Sequence, residues 1–479
     1  MKDKKTSNDQ KELVTPKVFS QSEIKQLRES LSGNLYLPGD DKYEDAKKTW
    51  ALYIENKPSV IIEINDTTDV TTAINFAKKH QLFIAVQSTG HGASHPCDGH
   101  MLIKTNLMHH FSIDVESQTL TTEAGATWEE ITAESQKSGL VPLTGFAANV
   151  GVTGYVIGGG FGWLVRKYGL AVDHLLSFNM VSLEGELKTV SATENEDLFW
   201  GICGGGNFGI ITSLTMKLFP LKSVLASQFY YPGSQAKQVL ELYRSIVENF
   251  PEELTSTVSV MHLPPNPALP EAIRAKFVVS VKAIYQGDED QGKQLLAPFK
   301  NLQRIYEQQE TLPYEKASKI SGDPQAPQKV YGHVEILNKL TQDLTDILSN
   351  LAVGNVSVKP VIEIIHISGA MAKVPVGKNA FGHRNAKFIL HVEVPLAADN
   401  TQAAAADYIH SLSEAVRPYS TGGTYLNFIG NVDTDEELVK SAFNEDDYTK
   451  LRLLKFRYDP GNILRFNFNI PPAKVYQIL

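Results

Sequence analysis

A glycine-rich stretch without charged residues constrains the fold of this chain more than any other feature. The 28 residues between Lys137 and Arg166 carry no formal charge, and eight of them are glycine. A helix of this length could cross a bilayer. Each glycine inside a helix costs about 1 kcal/mol relative to alanine, however, so we predict tight turns and buried backbone here rather than a membrane span.

The composition predicts a multi-part globular protein that binds a small molecule. The chain has 479 residues, of which 42% are hydrophobic and 21% are charged, close to the average for soluble proteins. The net charge of −9 provides no basic surface for nucleic acid, so we expect a small-molecule ligand and no nucleic-acid partner.

Cysteine usage and the first residues predict a cytoplasmic protein. Cys97 and Cys203 are the only cysteines, which excludes a disulfide framework and a thiolate metal cluster, and we predict no metal. Residues 1–14 are polar and lysine-rich, and no apolar run follows them. We therefore expect no secretory signal, no membrane partner and a cytoplasmic location.

The first half of the chain alternates strands and helices. Residues 59–87 have the pattern of a strand, a helix and a second strand, which is typical of a crossover between parallel strands. Small residues at 88–94 follow this unit, at the carboxyl end of a strand, where α/β folds bind ligands. Further predicted elements are strands at 111–115 and 119–124, a helix at 127–140, a hairpin at 178–190 and a strand at 209–218.

Beyond residue 220 the pattern changes. Glycine becomes rarer, and long strands alternate with helix-like stretches, which predicts a separate α+β domain on an antiparallel sheet. The last 55 residues contain clusters of aromatic residues and asparagines, so we expect them to pack against the first domain. The strands of the second domain are predicted at 255–263, 276–285, 361–368 and 387–394.

Two glycine motifs differ in what they predict. Gly204, Gly206 and Gly209 have the spacing of the dinucleotide fingerprint, but a helix-like run precedes them and a strand follows, so we reject a nicotinamide site. Residues 150–162 present successive backbone N–H groups suited to a pyrophosphate; the alternative is a close-packed glycine seam between two layers. A second small-residue loop, which contains His91, favours the ligand site.

Five ordered stretches connect the chain to a known family. They are residues 88–92 (STGHG), 150–173, 204–212 (GGGNFGIIT), 425–428 (YLNF) and 458–470. Together they resemble the vanillyl-alcohol oxidase superfamily, with its PCMH-type FAD-binding domain, in the branch of the berberine bridge enzyme and the oligosaccharide oxidases. The resemblance extends over nearly the whole chain.

This resemblance implies an α+β fold with an FAD-binding domain of two α/β subdomains, an α+β substrate domain on an antiparallel sheet, and a C-terminal segment that completes the FAD-binding domain. The implied divisions are a polar tail at 1–20, the FAD-binding domain at 21–220 with subdomains at about 21–110 and 111–220, the substrate domain at 221–420 and the C-terminal segment at 421–479.

The resemblance also implies FAD as cofactor, joined through His91 to the 8α carbon of the flavin. Many members add a bond from a cysteine four residues before Gly151, where this chain has Ala147, so a single bond is expected and Cys97 does not replace the second. Alternatively, His91 only hydrogen-bonds a phosphate or backbone group. The implied cofactor-binding residues are Ser88, Thr89, Gly90, His91, Gly92, Ala93, Val150, Gly151, Gly154, Tyr155, Gly158, Gly159, Gly162, Ile210, Asn427, Asn467 and Asn469.

Tyr425 stands where the resemblance implies a catalytic tyrosine acting as general base. A phenol titrates near pH 10, so a base at neutral pH requires a nearby positive charge or a partner that favours the phenolate. His383 and Arg384 are the candidates for that partner. The alternative is a tyrosine packed in the core.

The predicted strand at 387–394 is a second place where some relatives have a catalytic carboxylate. Leu390 falls near that position, which makes an acid there doubtful. His391 and Glu393 lie on the opposite face of the strand from Leu390 and are candidates, although an exposed polar face explains them more simply.

The resemblance implies oxidation of a CH–OH group in a sugar, an alcohol or a secondary metabolite such as an alkaloid. Hydride would pass to flavin N5, and dioxygen would reoxidise the flavin to give hydrogen peroxide, consistent with the small side chain of Val150. The alternatives are a dehydrogenase that uses another acceptor and a flavin-binding protein without turnover. We expect a monomer or a weak dimer.

Overall fold

The computed structural model describes residues 16–354, 358–396, 401–429 and 435–474, and it has the predicted α+β fold. The glycine-rich stretch forms loops around two short helices, Val152–Ile157 and Val165–Tyr168. Within the described ranges, no helix combines the length and apolar character that crossing a membrane requires.

The first sheet has four strands in the order β1-β2-β4-β3, and β4 lies between the two strands of the predicted crossover. β4 runs parallel to both of its neighbours, and β1 is antiparallel to β2. The elements are α1 (Gln21–Glu29), β1 (Asn34–Tyr36), α2 (Tyr43–Ala46), β2 (Val60–Glu63), α3 (Thr67–Lys79), β3 (Ile84–Gln87) and β4 (Met101–Lys104).

Helix α3 shows how the sequence determines the start of a helix and the face that packs on the first sheet. The side chain of Asp66 accepts hydrogen bonds from the backbone N–H groups of Thr68 and Asp69, which caps the first turn. Val70 and Ile74, four residues apart, are buried against the sheet. The chain leaves β3 at Gln87 directly into the loop that contains His91.

The second sheet has five antiparallel strands in the order β5-β6-β10-β8-β9. The elements up to Pro220 are β5 (Phe111–Asp114), β6 (Thr119–Glu123), α4 (Trp128–Lys137), β7 (Leu140–Val141), α5 (Val152–Ile157), α6 (Val165–Tyr168), β8 (Leu175–Val181), β9 (Leu187–Ser191), α7 (Glu196–Ile202), β10 (Ile210–Lys217) and β11 (Phe219–Pro220), which pairs with β7. The glycines at 204–209 connect a helix to a strand, as the sequence predicted.

The third sheet has seven antiparallel strands in the order β15-β12-β14-β13-β17-β18-β16. Its elements are β12 (Val224–Pro232), α8 (Ala236–Ile246), β13 (Leu254–His262), β14 (Phe277–Tyr285), α9 (Glu289–Leu296), β15 (Tyr306–Leu312), α10 (Tyr314–Ala317), β16 (Val330–Leu337), α11 (Gln342–Gly354), β17 (Val361–His366), β18 (Phe388–Pro395) and α12 (Gln402–Val416).

The two faces of the third sheet differ in chemistry. Leu390 and its neighbours on one face belong to an apolar cluster that includes side chains of α8, α11 and α12. Alternate residues of β17 and β18, among them Ile365 and Ile389, turn to the other face and pack in an apolar cluster with side chains of the second sheet. Glu363 and His391 lie on this second face, opposite each other on β17 and β18.

Buried hydrogen bonds hold the third sheet to the second. The guanidinium of Arg166 donates to the carbonyl oxygens of Phe250 at 3.0 Å, Pro251 at 2.9 Å and Ile367 at 3.1 Å, and also to that of Leu254.

The last two helices of the described chain are α13 (Glu436–Lys440) and α14 (Glu445–Tyr458), and α14 packs against α7, which precedes β10 of the second sheet.

Candidate active site

A cavity of about 570 Å³ lies between the first two sheets and the second face of the seven-stranded sheet. The loop after β3 and the loop before α5 form one wall, and residues from the C-terminal region close it. Most of the sequence-predicted cofactor residues line this cavity. They are Ser88, Thr89, Gly90, His91, Gly92, Ala93, Val150, Gly151, Gly154, Tyr155, Gly158, Ile210, Asn427 and Asn467.

Three of the predicted cofactor residues are not among those that line the cavity. A Cβ atom on Gly159 would lie 2.4 Å from the Phe381 ring, and one on Gly162 would lie 1.8 Å from the carbonyl oxygen of Thr144. These two glycines therefore permit close packing, as in the alternative of a glycine seam. The backbone N–H of Asn469 donates to the carbonyl of Asn467, which does line the cavity.

Buried polar atoms in the cavity wall lack partners within the described chain. These atoms are Ser88 Oγ, His91 Nε2, Thr153 Oγ1, Tyr155 OH and Asn207 Oδ1. Buried polar groups are almost always hydrogen-bonded, so such a set indicates a polar ligand or ordered water in the cavity. The two glycine loops and these atoms fit a large cofactor with phosphate and ring-nitrogen groups, such as FAD.

His91 is held on both sides of its ring. The ring stacks on Trp50, with 4.2 Å between centroids and 16° between planes, and Nδ1 lies 2.7 Å from Thr89 Oγ1. Burial lowers the pKa of His91 to about 4, so the imidazole is neutral near pH 7 and one ring nitrogen keeps its lone pair.

The position of the second anchor also lies in the wall. Ala147 lines the cavity, and no cysteine is among the described residues that do. Cys97 is buried elsewhere, with its backbone N–H bonded to Asn56 Oδ1. The single covalent link at His91 therefore stays a prediction, and both His91 and Ala147 lie in the cavity wall.

Asn427 connects the C-terminal motif to the glycine-rich loop. Its Oδ1 accepts from the backbone N–H of Gly160 at 2.8 Å, and its Nδ2 donates to the carbonyl of Tyr155 at 3.2 Å. A Cβ atom on Gly158 would lie 2.5 Å from this Nδ2. Asn427 therefore fixes the loop in a shape that requires glycine at position 158.

The Gly158→Ala variant is expected to lose bound flavin. The added methyl group would displace Asn427, and two hydrogen bonds of about 1 kcal/mol each would be weakened, so we expect roughly tenfold weaker flavin binding and less flavin incorporated into the purified protein. The flavin-to-protein absorbance ratio of the purified variant measures this. Gly461→Ala is the control, since its Cβ would meet only Ile463 at 3.5 Å. Equal ratios in both variants would contradict the role of Asn427.

Tyr425 does not line the cavity, and its surroundings do not favour a base. The side chain is 1% exposed, packs between Phe161 and Phe381, and donates its hydroxyl hydrogen to the carbonyl of His383 at 2.7 Å. Burial raises the pKa of this phenol, and the charge of Arg384 offsets only part of that effect.

Neither residue proposed to activate Tyr425 is available to do so. Arg384 forms a bidentate pair with Asp173, at 2.8 and 2.9 Å, and is 9% exposed. His383 Nε2 lies 2.6 Å from the carbonyl oxygen of Ser441. The carbonyl partner favours the neutral phenol, so these contacts do not supply the phenolate that a general base requires, and the role of Tyr425 stays a prediction. Leu426, Asn427 and Phe428 of the YLNF motif line the cavity, and the aromatic ring among them, that of Phe428, has no hydroxyl group.

The wall opposite the glycine loops contains three carboxylates, Asp323, Glu363 and Glu393, together with His391. The pKa of Asp323 is raised to about 6, chiefly by burial and also by the charges of Glu363 and Glu393, while Lys282 and His391 oppose the shift. Asp323 Oδ2 is buried without a hydrogen-bond partner in the part of the chain that the structure describes.

Sequence reasoning found only part of this wall. The alternation of β18 correctly placed His391 and Glu393 on the face opposite Leu390, but it did not show that this face borders a cavity. Asp323 was missed, because it lies in a loop between α10 and β16 that matches no motif. Its only signal was an acid beside proline within a polar connection, which ordinary turns also have.

The fold and this cavity define an FAD-binding protein. Residues 58–191 match the family described as an FAD binding domain. An FAD-linked oxidoreductase of Dictyostelium discoideum is 28% identical over 94% of this chain and 97% of its own length. Among solved structures, BBE-like 1 of Physcomitrella patens has a TM-score of 0.83 at 20% identity, over 94% of this chain and 99% of that one.

A chitooligosaccharide oxidase has the same fold, with a TM-score of 0.82 at 20% identity over 94% of this chain and 99% of its own. The chain thus contains an FAD-binding domain, is similar over nearly its whole length to an FAD-linked oxidoreductase, and shares the fold of a BBE-like protein and an oligosaccharide oxidase, as its motifs predicted.

Proposed function

We propose that this protein oxidises a CH–OH group of a small organic molecule in the cavity between the glycine loops and the acidic wall. The supporting observation is the position of Asp323, a carboxylate with an unpartnered oxygen, in the wall opposite the proposed flavin loops. Bound FAD would supply a hydride acceptor, and dioxygen would then take the two electrons to give hydrogen peroxide. Chitooligosaccharide oxidase among the structural neighbours makes a carbohydrate the first substrate to test.

The cofactor would be held by the two glycine loops and by a single bond from His91. Neutral His91, with its ring fixed by Trp50 and Thr89, has the lone pair that such a bond requires. Backbone N–H groups at 150–162 would bind phosphate oxygens without lysine or arginine. Val150, which lines the cavity, leaves room for dioxygen.

Asp323 is the group that we propose as general base, in place of Tyr425. The substrate O–H bond breaks as its proton moves to Asp323 Oδ2, and the hydride leaves the same carbon with the C–H electron pair, so the product is a carbonyl compound. A carboxylate with a pKa of about 6 is ionised near pH 7 and still basic enough to accept a proton in the transition state.

Anaerobic flavin reduction tests this proposal. Cellobiose, chitobiose and benzyl alcohol are the donors, and bleaching of the flavin absorbance is the measurement. We expect Asp323→Asn to slow bleaching about a hundredfold or more, as is typical for loss of a general base. We expect Tyr425→Phe, which removes only the bond to the His383 carbonyl, to change the rate less than about tenfold.

The pH dependence provides a second readout. The rate of bleaching should rise with pH through about 6, because the base must be deprotonated and burial raises its pKa to that value.

If no donor bleaches the parent protein at any pH, the protein binds flavin without oxidising these substrates. If Tyr425→Phe is the slow variant and Asp323→Asn is not, the proposed base is wrong. Reduction without hydrogen peroxide in air would indicate a different electron acceptor.

A further inference from the structure

The acidic wall of the cavity contains no lysine or arginine among the described residues. Asp323, Glu363 and Glu393 line the cavity, whereas neither lysine nor arginine occurs among the described residues that do. The two glycine loops also lack these side chains, so the phosphates of a bound cofactor would add negative charge rather than offset it. A cavity with low-dielectric walls focuses such a field and concentrates ions of the opposite sign.

The sheet register brings these carboxylates to one face. Glu363 on β17 is the cross-strand partner of His391 on β18, and Glu393 follows two residues later on the same face. Asp323 reaches the same region from the loop before β16. Asp323, Glu363, Glu393 and His391 all line the same cavity, and the charges of the other three shift the pKa of Asp323.

The polar partners of these carboxylates do not cancel their charge. Glu363 Oε1 accepts from the Ser259 hydroxyl at 2.9 Å, and Glu393 Oε1 lies 3.7 Å from His391 Nε2. Lys282 is the basic residue nearest to Asp323. Its ammonium group donates to the carbonyl of Ser321, and it is 6% exposed. The three carboxylates therefore have two basic neighbours: His391, which lines the cavity, and Lys282, which does not.

We infer that the substrate carries a protonated amine close to the carbon that is oxidised. An ammonium group has three donors and no acceptor, which matches a wall of carboxylate oxygens that includes the unpartnered Asp323 Oδ2. An anion would be repelled, and a neutral alcohol would leave the carboxylates without a charged partner. This inference rests on the proposed function, because it assigns the substrate to the same cavity.

Binding of three probes of the same size tests the inference without turnover. Benzylamine, benzyl alcohol and benzoate differ in charge but share one ring and one carbon branch. Each is titrated anaerobically into the holoenzyme at about pH 7.5, and the initial shift of the flavin absorbance gives the dissociation constant. We expect benzylamine to bind at least about tenfold more tightly than benzyl alcohol, because hydrogen bonds between charged groups exceed neutral ones by that margin, and benzoate to bind most weakly.

Substitutions in the acidic wall test whether its carboxylates cause the preference for benzylamine. Asp323→Asn and Glu363→Gln keep the side-chain shape. Each should reduce the ratio of the benzyl alcohol dissociation constant to the benzylamine dissociation constant about tenfold. Glu248→Gln is the control, because Glu248 pairs with Lys387 at a site 41% exposed and outside the cavity, and it should keep the parent preference. The flavin-to-protein ratio checks that each variant is folded.

Three outcomes would overturn the inference: equal binding of amine and alcohol, tighter binding of benzoate, or no binding of any probe. Retention of the parent preference in both Asp323→Asn and Glu363→Gln would also overturn it. Failure of the proposed function is distinguishable, since it concerns bleaching by the alcohol and sugar donors. A protein that prefers benzylamine but is never bleached by these donors would support the charge of the ligand and reject the oxidation of neutral alcohols and sugars.

Discussion

Replacing His91 with alanine is expected to release all flavin from the acid-precipitated protein, whereas the parent pellet stays yellow. The reason is that His91 is the single anchor that we propose: Ala147 stands at the second position, and no cysteine is among the described residues lining the cavity. The neutral state of the ring leaves a nitrogen lone pair available for the proposed bond. The change expected is from about one covalent flavin per chain to none.

The measurement is the mass of the tryptic peptide of residues 80–104, which includes His91. In the parent, this peptide should carry one flavin mass, and fragmentation should place it on His91. His95→Ala is the matched control, because His95 lines the same cavity four residues later. A flavin located on His95 or Cys97, or a colourless parent pellet, would contradict the assignment. In the last case FAD would still bind, but noncovalently.

The largest effect on stability is expected at Lys455. Lys455 and Asp459 are both 0% exposed, and their side chains are 2.7 Å apart. The ammonium group also donates to the carbonyls of Asn207 and Leu464, each at 2.8 Å. Lys455→Met should lower the free energy of unfolding by about 3–5 kcal/mol, because the variant leaves the charge of Asp459 buried and unpaired.

Denaturant unfolding followed by tryptophan fluorescence measures this loss. Lys293→Met is the matched control: Lys293 pairs with Glu289 one helical turn away, but both side chains are at least 40% exposed. That pair should contribute about 1 kcal/mol or less. Lys455→Met should also retain less noncovalent flavin, since Asn207 and Leu464 line the cavity. Equal destabilisation by the two variants would show that burial of the pair has no special effect.

The positions of Tyr425 and Phe428 show what the YLNF motif does not predict: which of its aromatic side chains faces the cavity. The sequence correctly predicted that the YLNF segment lies at the cavity, and Asn427 forms hydrogen bonds with the glycine-rich loop. It did not specify which aromatic ring of the segment would face the cavity. That choice depends on the packing of Phe161 and Phe381 around Tyr425 and on the carbonyl of His383, residues distant in sequence.

The sequence by itself determined the glycine loops and the alternation of β18, because both depend on local backbone chemistry. Its resemblance to a known family implied His91 as a candidate anchor and Ala147 in place of a second one. Only the tertiary structure decided which side chains meet across the cavity. β4 lies between β2 and β3, and Asp323 approaches Glu363 and Glu393, through contacts between segments far apart in the chain. Local periodicity reports which face of an element is buried, but strand order and loop placement set what that face contacts.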